Sequence, residues 1–474
     1  TTTCPTTAPT PAPQCACLSN LAFADEKHRA AIIADDGVSL VCSALQKHTT
    51  VHGVLQEGCA ALANLSHDPD GTVEAASSGA ISFVTEAMAA YESDERMQRY
   101  GIAVLDNLGA AAASAADAGG KPSKRLSLSD ELQPLHGKRA EKIHLSPAAR
   151  VCAAMKVHSG SVELIELGCR ALANMAQEST TGRLTLIHLQ GAQLVCGAMH
   201  RFLGHAAVQR RGCSAIANLC ADESSSVVLA AGGLDRVLEA MEAHLADPGV
   251  QEEGCSALSN FSCGDSAVRV ALSKVPCAER IAQAMVFHAD VLAVQQEGCA
   301  ALANLSWGEM QKRMVQNAGG MQLLLSAMRT HAESAELVEC GCKALHNLAC
   351  NSEPIRLELV EQGAVQIVCD GLRAHDDSAL VQQEGCVCLA SLAKDDENVK
   401  ALISSLGGIA LVIKALRRHK LSADMQRWGY KALRSLATAN DLAAIKASKM
   451  GALGEVSTMR PLSDTPNEPL LKVV

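Results

Sequence analysis

The chain has 474 residues, well past the ~250–300 at which one compact core stops growing, so it either divides into domains or extends as repeated units. Hydrophobic residues make up 48% but aromatics only 2%, a balance that disfavours sheet cores and favours closely packed helices. A net charge of −10 with a pI near 5.9 excludes the basic excess of a non-specific nucleic-acid binder, and no run of about 18 apolar residues offers a transmembrane segment.

The N-terminal TTTCPTTAPTPAPQ lacks the basic-then-apolar order of a signal peptide, and residues 1–13 read as a Thr/Pro-rich linker or flexible end. The first residue is not Met, which leaves room for a presequence already removed. The 20 cysteines contain no CxxC pair and sit inside helical phrases. They read as reduced thiols packing like small apolar residues, so the expected compartment is cytoplasmic, or organellar if a presequence has been lost.

From residue 14 onward one phrase recurs. QCACLSNLAF at Gln14–Phe23 is a partial copy, and VQQEGCAALANLSW at Val294–Trp307 is a full one. Aligned copies give a ladder of glycines at Gly58, Gly101, Gly168, Gly212, Gly254, Gly298, Gly341, Gly385 and Gly429, with intervals of 43, 67, 44, 42, 44, 43, 44 and 44. A fixed period in the low forties carried by helical sequence marks a solenoid of two- or three-helix repeats. Each unit shows a polar turn, a short helix ending at glycine (ENVKALISSLGG, 397–408), an apolar helix (IALVIKALRRH, 409–419) and then the phrase. Glycine after the short helix suits a left-handed C-cap and a sharp corner.

The 67-residue interval holds an insertion at about 109–146, GGKPSKRLSLSDELQPLHGKRAEK within it, whose Gly, Pro, Ser and Lys content reads as a surface loop. KRLS places Ser127 after two basic residues, a pattern basophilic kinases favour, which makes it a phosphorylation candidate beside the plainer reading of an unmodified tether. GGK is no phosphate-binding loop, since Pro122 follows Lys121 and no glycine lies five residues before Gly120. The last unit ends early, at a short helix over 442–454, and 455–474 reads as an irregular tail.

The short-long-long order with its GCxALxNL third helix resembles the armadillo repeat, over about residues 14–454. Copies such as VQEEGCSALSN are similar to arrays common in algal and other protist proteins. The resemblance implies an all-α fold, a right-handed α-solenoid of about ten armadillo repeats whose third helices line a concave groove. One departure is informative. The importin-α groove carries Trp four residues before the asparagine, where this chain has Ala60, Ala103, Arg170, Ser214, Ser256, Ala300 and Lys343. Nuclear-import cargo binding of that kind is therefore not expected.

On a helical wheel the cysteines one residue after the glycines (Cys59, Cys169, Cys213, Cys255, Cys299, Cys342, Cys386) point into the stack, one per repeat, which suits core packing and not a metal site. His48, His158, His244, His288, His331, His375 and His419 each precede a ladder glycine by ten and read as caps of the second helix's C-terminus. The asparagines need another reason, because Asn is a mediocre helix former. Asn20, Asn64, Asn107, Asn174, Asn218, Asn260, Asn304 and Asn347 recur in one slot, with Ser391 and Ser435 in the last two copies. A primary amide both donates and accepts, and the ladder is similar to the one that holds extended peptides in armadillo grooves. Bracing of one repeat on the next is the other use of the same group. Tyr100, Trp307 and Trp428 flank that slot and are candidate anchors, or else pack against the insertion or a terminal segment. Glu57, Glu253, Glu297 and Glu384 share a nearby slot and offer two readings, an acidic stripe or, the one favoured, first-turn carboxylates that suit the macrodipole.

No HExxH, GxSxG, GxGxxG or CxxC occurs, and acids and bases follow the repeat without gathering, so neither an enzyme nor a cofactor nor a metal is expected. The leading expectation is a scaffold or adaptor holding an extended segment or helix of one or more partner proteins in its groove. The alternative is a structural subunit fixed in a large ciliary, cytoskeletal or organellar assembly.

Overall fold

A computed structural model describes residues 12–117 and 146–436. Among these every regular element is a helix. The recurring unit is a triplet. A first helix of mostly nine residues, such as Glu309–Asn317, meets a second of 11, such as Gly320–Thr330, and then a third such as Ala335–Ala349. The corner between the first two is left-handed backbone at Gly79, Gly232, Gly319, Gly363 and Gly407, with φ between 76° and 85°, where any β-carbon would be strained. Asp25, Asp68, Ser179, Asp265 and Asp396 cap first helices by accepting from backbone N–H groups.

The chain forms two compact units, Thr1–Ala243 and His244–Val474. Within the first, the third helices Ala12–Ala24, His52–Leu65, Glu95–Asp117, Val162–Glu178 and Ala206–Leu219 pack in sequence, each on the next. Within the second, Pro248–Ser262, Leu292–Leu305, Ala335–Ala349, Ala379–Leu392 and Ala423–Leu436 do the same. The second helices form a parallel stack inside each unit. Leu302, Leu305 and Cys299 are buried between them, and each leucine contributes about 1.5–3 kcal/mol of apolar burial.

The glycine ladder explains how closely the second and third helices approach. A β-carbon at Gly101, Gly168, Gly212, Gly298 or Gly341 would lie 2.4–2.8 Å from the Cγ or Sδ of Met88, Met155, Met199, Met285 or Met328. At Gly58, Gly385 and Gly429 the second-helix residue is Leu45, Leu372 or Leu416. The ladder cysteines are buried, and burial pushes the thiols of Cys59, Cys169 and Cys386 up to about 12, which leaves them inert as nucleophiles. The described residues contain no cluster able to hold a metal ion and no single helix long and apolar enough to cross a membrane.

Two boundaries differ from the sequence reading. The helix Ala12–Ala24 starts before residue 14. The third helix before the insertion runs on to Asp117, taking up the alanine-rich start of the segment read as loop, because GAAAASAAD is strong helix-forming sequence. That helix packs against Val162–Glu178, so the insertion leaves the third-helix stack continuous. Ser127, the rest of the insertion, and the segments 442–454 and 455–474 lie outside the described residues.

Candidate functional site: the third-helix face

The asparagine slot falls on the face of each third helix that lies beside its neighbour's turn. Asn64 Nδ2 donates to Ser19 O at 2.9 Å, Asn107 to Ala63 O at 3.1 Å, Asn218 to Ala173 O at 3.0 Å and Asn347 to Ala303 O at 2.9 Å. Each acceptor is the residue just before the preceding repeat's asparagine. A carbonyl can only accept, so the amide nitrogen is the arm that is used. Asn304 makes its link through Ser259 Oγ at 2.9 Å. Asn174 turns to the Asp106 carboxylate at 2.9 Å, which also receives Arg170 Nε at 2.7 Å. The ladder is therefore a brace between repeats. Its other arm stays open: Oδ1 of Asn64, Asn107, Asn174, Asn218 and Asn304 accepts no bond among the described residues and reaches solvent. Asn20 is exposed at the array's start, and Asn260 is half-buried in the same slot.

Where serine replaces asparagine, the joint is rebuilt. Ser391 Oγ donates to Val387 O at 3.0 Å, so His346 Nδ1, 2.6 Å away, supplies the proton across the joint. Ser435 Oγ donates weakly to Ala390 O at 3.5 Å.

The aromatic candidates are half-buried and carry cations on their rings. Arg96 lies 5.9 Å from the Tyr100 centroid, Arg269 4.7 Å from that of Trp307, and Lys431 and Arg427 4.7 and 5.3 Å from that of Trp428. Each stands in a separate repeat. Trp307 Nε1 is buried without an acceptor.

Two other ladders required the structure. The histidines do stand at the C-terminus of the second helix, but their rings reach the previous repeat. Nε2 of His158, His288, His331, His375 and His419 donates to the carbonyl of Glu92, Leu245, Ala289, Ala332 and Asp376 at 2.7–2.9 Å. Tyr91, in the same slot, spans to Thr50 O at 3.3 Å. The capping itself falls to glutamines that the sequence reading passed over. Gln98, Gln209, Gln295, Gln382 and Gln426, three residues before a ladder glycine, each donate Nε2 to two carbonyls at the end of their own second helix, at 2.8–3.3 Å. Gln251 caps His244 O at 2.9 Å in the same way. Their fixed spacing from the glycine was the available signal.

A further correction concerns the carboxylates. Glu57, Glu253, Glu297 and Glu384 lie past the first turn, because each helix begins several residues before them. The macrodipole does not account for them.

The family description LRRK2 ARM repeat matches residues 140–319 and 316–445. A comparison with curated proteins returned no match. Among solved structures, an engineered protein from the Northeast Structural Genomics Consortium is similar over 91% of this chain and 97% of its own, at 20% identity and a TM-score of 0.69. A designed armadillo repeat protein in complex with peptide (KR)4 aligns over 51% of this chain and 98% of its own, at 19% identity and a TM-score of 0.45.

Proposed function

The chain belongs to the LRRK2 ARM repeat family, and from that premise we propose that it is a non-enzymatic scaffold that holds an extended or helical segment of a partner protein along its third-helix face. Armadillo arrays are protein-binding scaffolds in general, and their third helices form the inner side. The observation that carries the reading here is the open Oδ1 row of Asn64, Asn107, Asn174 and Asn218 in the first unit, at one acceptor per repeat, and the same arm of Asn304 within the second. A partner's backbone N–H groups are the donors such a row fits. With third helices about 10 Å apart and a strand rising about 3.3 Å per residue, one asparagine serves about three partner residues. The described part of the chain contributes surface and hydrogen bonds.

Photo-cross-linking from the intact chain tests this. A photoreactive residue at Ala300, on the third-helix face, should capture a protein partner that one at the exposed first-helix residue Leu402 does not. Capture from Leu402 alone would move the binding surface to the first helices and sink the reading.

A further inference from the structure

The third-helix face of the second unit collects carboxylates. Glu252, Glu297, Glu336, Glu339 and Glu384 stand on four successive third helices, Pro248–Ser262, Leu292–Leu305, Ala335–Ala349 and Ala379–Leu392. They are close enough to act on one another. Burial, reinforced by Glu252 and Glu336, pushes the Glu297 carboxyl up. Burial does the same to Glu339 and Glu384, with Glu336 and Glu339 adding to the respective effects. Glu336 accepts from Gln296 Nε2, a neutral donor, at 2.9 Å.

One cation stands among them. Lys343 acts on Glu339 and Glu384, which it draws toward ionisation. Its side chain is deeply buried, 7% exposed, yet its ammonium forms no hydrogen bond or ion pair with a described residue. Against five carboxylates this one ammonium leaves the cluster net negative.

An independent observation gives the missing partner its chemistry. Asn347, on the helix that carries Glu336, Glu339 and Lys343 and one turn past the lysine, is 4% exposed, and its Oδ1 accepts from no described residue. Glu384, on the next helix, is 7% exposed, and its Oε2 also accepts from no described residue. Buried acceptors without donors are costly, and what both lack is an N–H. The tryptophans do not compete for it, since Trp307 and Trp428 already carry Arg269, Arg427 and Lys431 on their rings.

We infer that this face takes an extended partner segment carrying arginine or lysine, whose cationic side chains enter between Glu297, Glu339 and Glu384. The inference rests on the reading of the third-helix face as the partner surface and adds the partner's charge to it. Charge complementarity of this kind sets partner choice and association rate, and it weakens with salt.

The test uses the full chain and fluorescent peptides of matched length bearing arginine, glutamine or glutamate at alternate positions. The arginine peptide should bind tightest and lose affinity as salt rises. Glu339→Gln with Glu384→Gln should weaken it at least about tenfold, the scale of removing one partner of a desolvated pair. Lys343→Gln should tighten it. Opposite signs from these two changes cannot come from unfolding, and thermal melts on each variant check that the fold persists. Equal affinity of the double variant for the arginine peptide, or preference for the glutamate peptide, would overturn the inference. If the glutamine or glutamate peptide binds and Asn304→Ala weakens it while the glutamates do not matter, only the charge is wrong. If no peptide binds, or a second copy of the chain occupies the face, both the charge and the underlying reading fall.

Discussion

A β-carbon added at Gly298 would sit 2.6 Å from Cγ and 2.8 Å from Sδ of Met285, closer than packed atoms stand. Helix propensity would favour alanine there by about 1 kcal/mol, while overpacking a tight core costs about 1–3 kcal/mol. The overlap involves the middle of a buried side chain that has nowhere to swing, so it should win. Gly298→Ala is expected to lower Tm, and adding Met285→Ala should restore less than additive loss, because the two changes share one space. An unchanged or raised Tm in the single variant would show that the helices can separate. His346 carries a second residue-scale prediction. Burial, then Lys431 and Lys312, pushes its imidazole down to about 4 from an ordinary 6.5. The folded ring stays neutral while the unfolded ring gains a proton near 6.5, so stability is complete above that pH and falls as pH drops toward 4. By about pH 5 this costs about 2 kcal/mol. His346→Gln should therefore lose about that much less stability between about pH 7 and about pH 5 in urea titrations. An identical pH profile for both proteins would contradict the buried neutral ring.

At the scale of the helix, two rows of side chains decide how well each triplet holds. Gln295 gives Met285 O and His288 O their donors at 2.8 and 3.0 Å inside the core. Gln295→Leu keeps the bulk but leaves two carbonyls unpaired, which should cost about 1–3 kcal/mol, read as a lower denaturant midpoint with an unchanged slope. Leu55, Ile165 and Val338 already occupy this slot elsewhere, so the repeat should survive the change. The same rows show what could be read beforehand. The triplets, the corner at Gly319 and the buried face of Leu302 and Cys299 all follow from local pattern, since propensity, capping and period are local. The partner of an amide is not. Asn64 and Asn304 could be placed on a face, but their donor arms close on residues 45 positions away, and no spacing within one helix reports that. His288 was placed at the correct helix end and given the wrong acceptor for the same reason. Gln295 was overlooked because a glutamine early in a helix looks solvated until the second helix is packed over it. The phrase alone puts Glu297 in a first turn, whereas the helix starts at Leu292.

Over the whole molecule these linkers are unevenly distributed. In the first unit His48 comes with Leu55, His158 with Ile165 and Phe202 with Gln209, each lacking one of the two linkers, while Tyr91 stands in for the histidine beside Gln98 and both links form. In the second unit His244 with Gln251, His288 with Gln295, His375 with Gln382 and His419 with Gln426 are complete, and only His331 with Val338 is not. Stability in a repeat array is close to a sum of repeat and neighbour terms, and a buried hydrogen bond contributes about 0.5–1.5 kcal/mol. A deficit in three triplets of one unit should therefore accumulate there and lower the free energy of its local opening. Hydrogen exchange on the intact chain should show third-helix amides of His52–Leu65, Val162–Glu178 and Ala206–Leu219 exchanging before those of Leu292–Leu305 and Ala379–Leu392. Leu55→Gln should slow exchange in its own repeat, since the new amide can reach Leu45 O and His48 O by the geometry that Gln295 uses. Equal protection in both units, or faster exchange in the second, would mean that apolar packing between repeats outweighs the linkers in setting where the array opens.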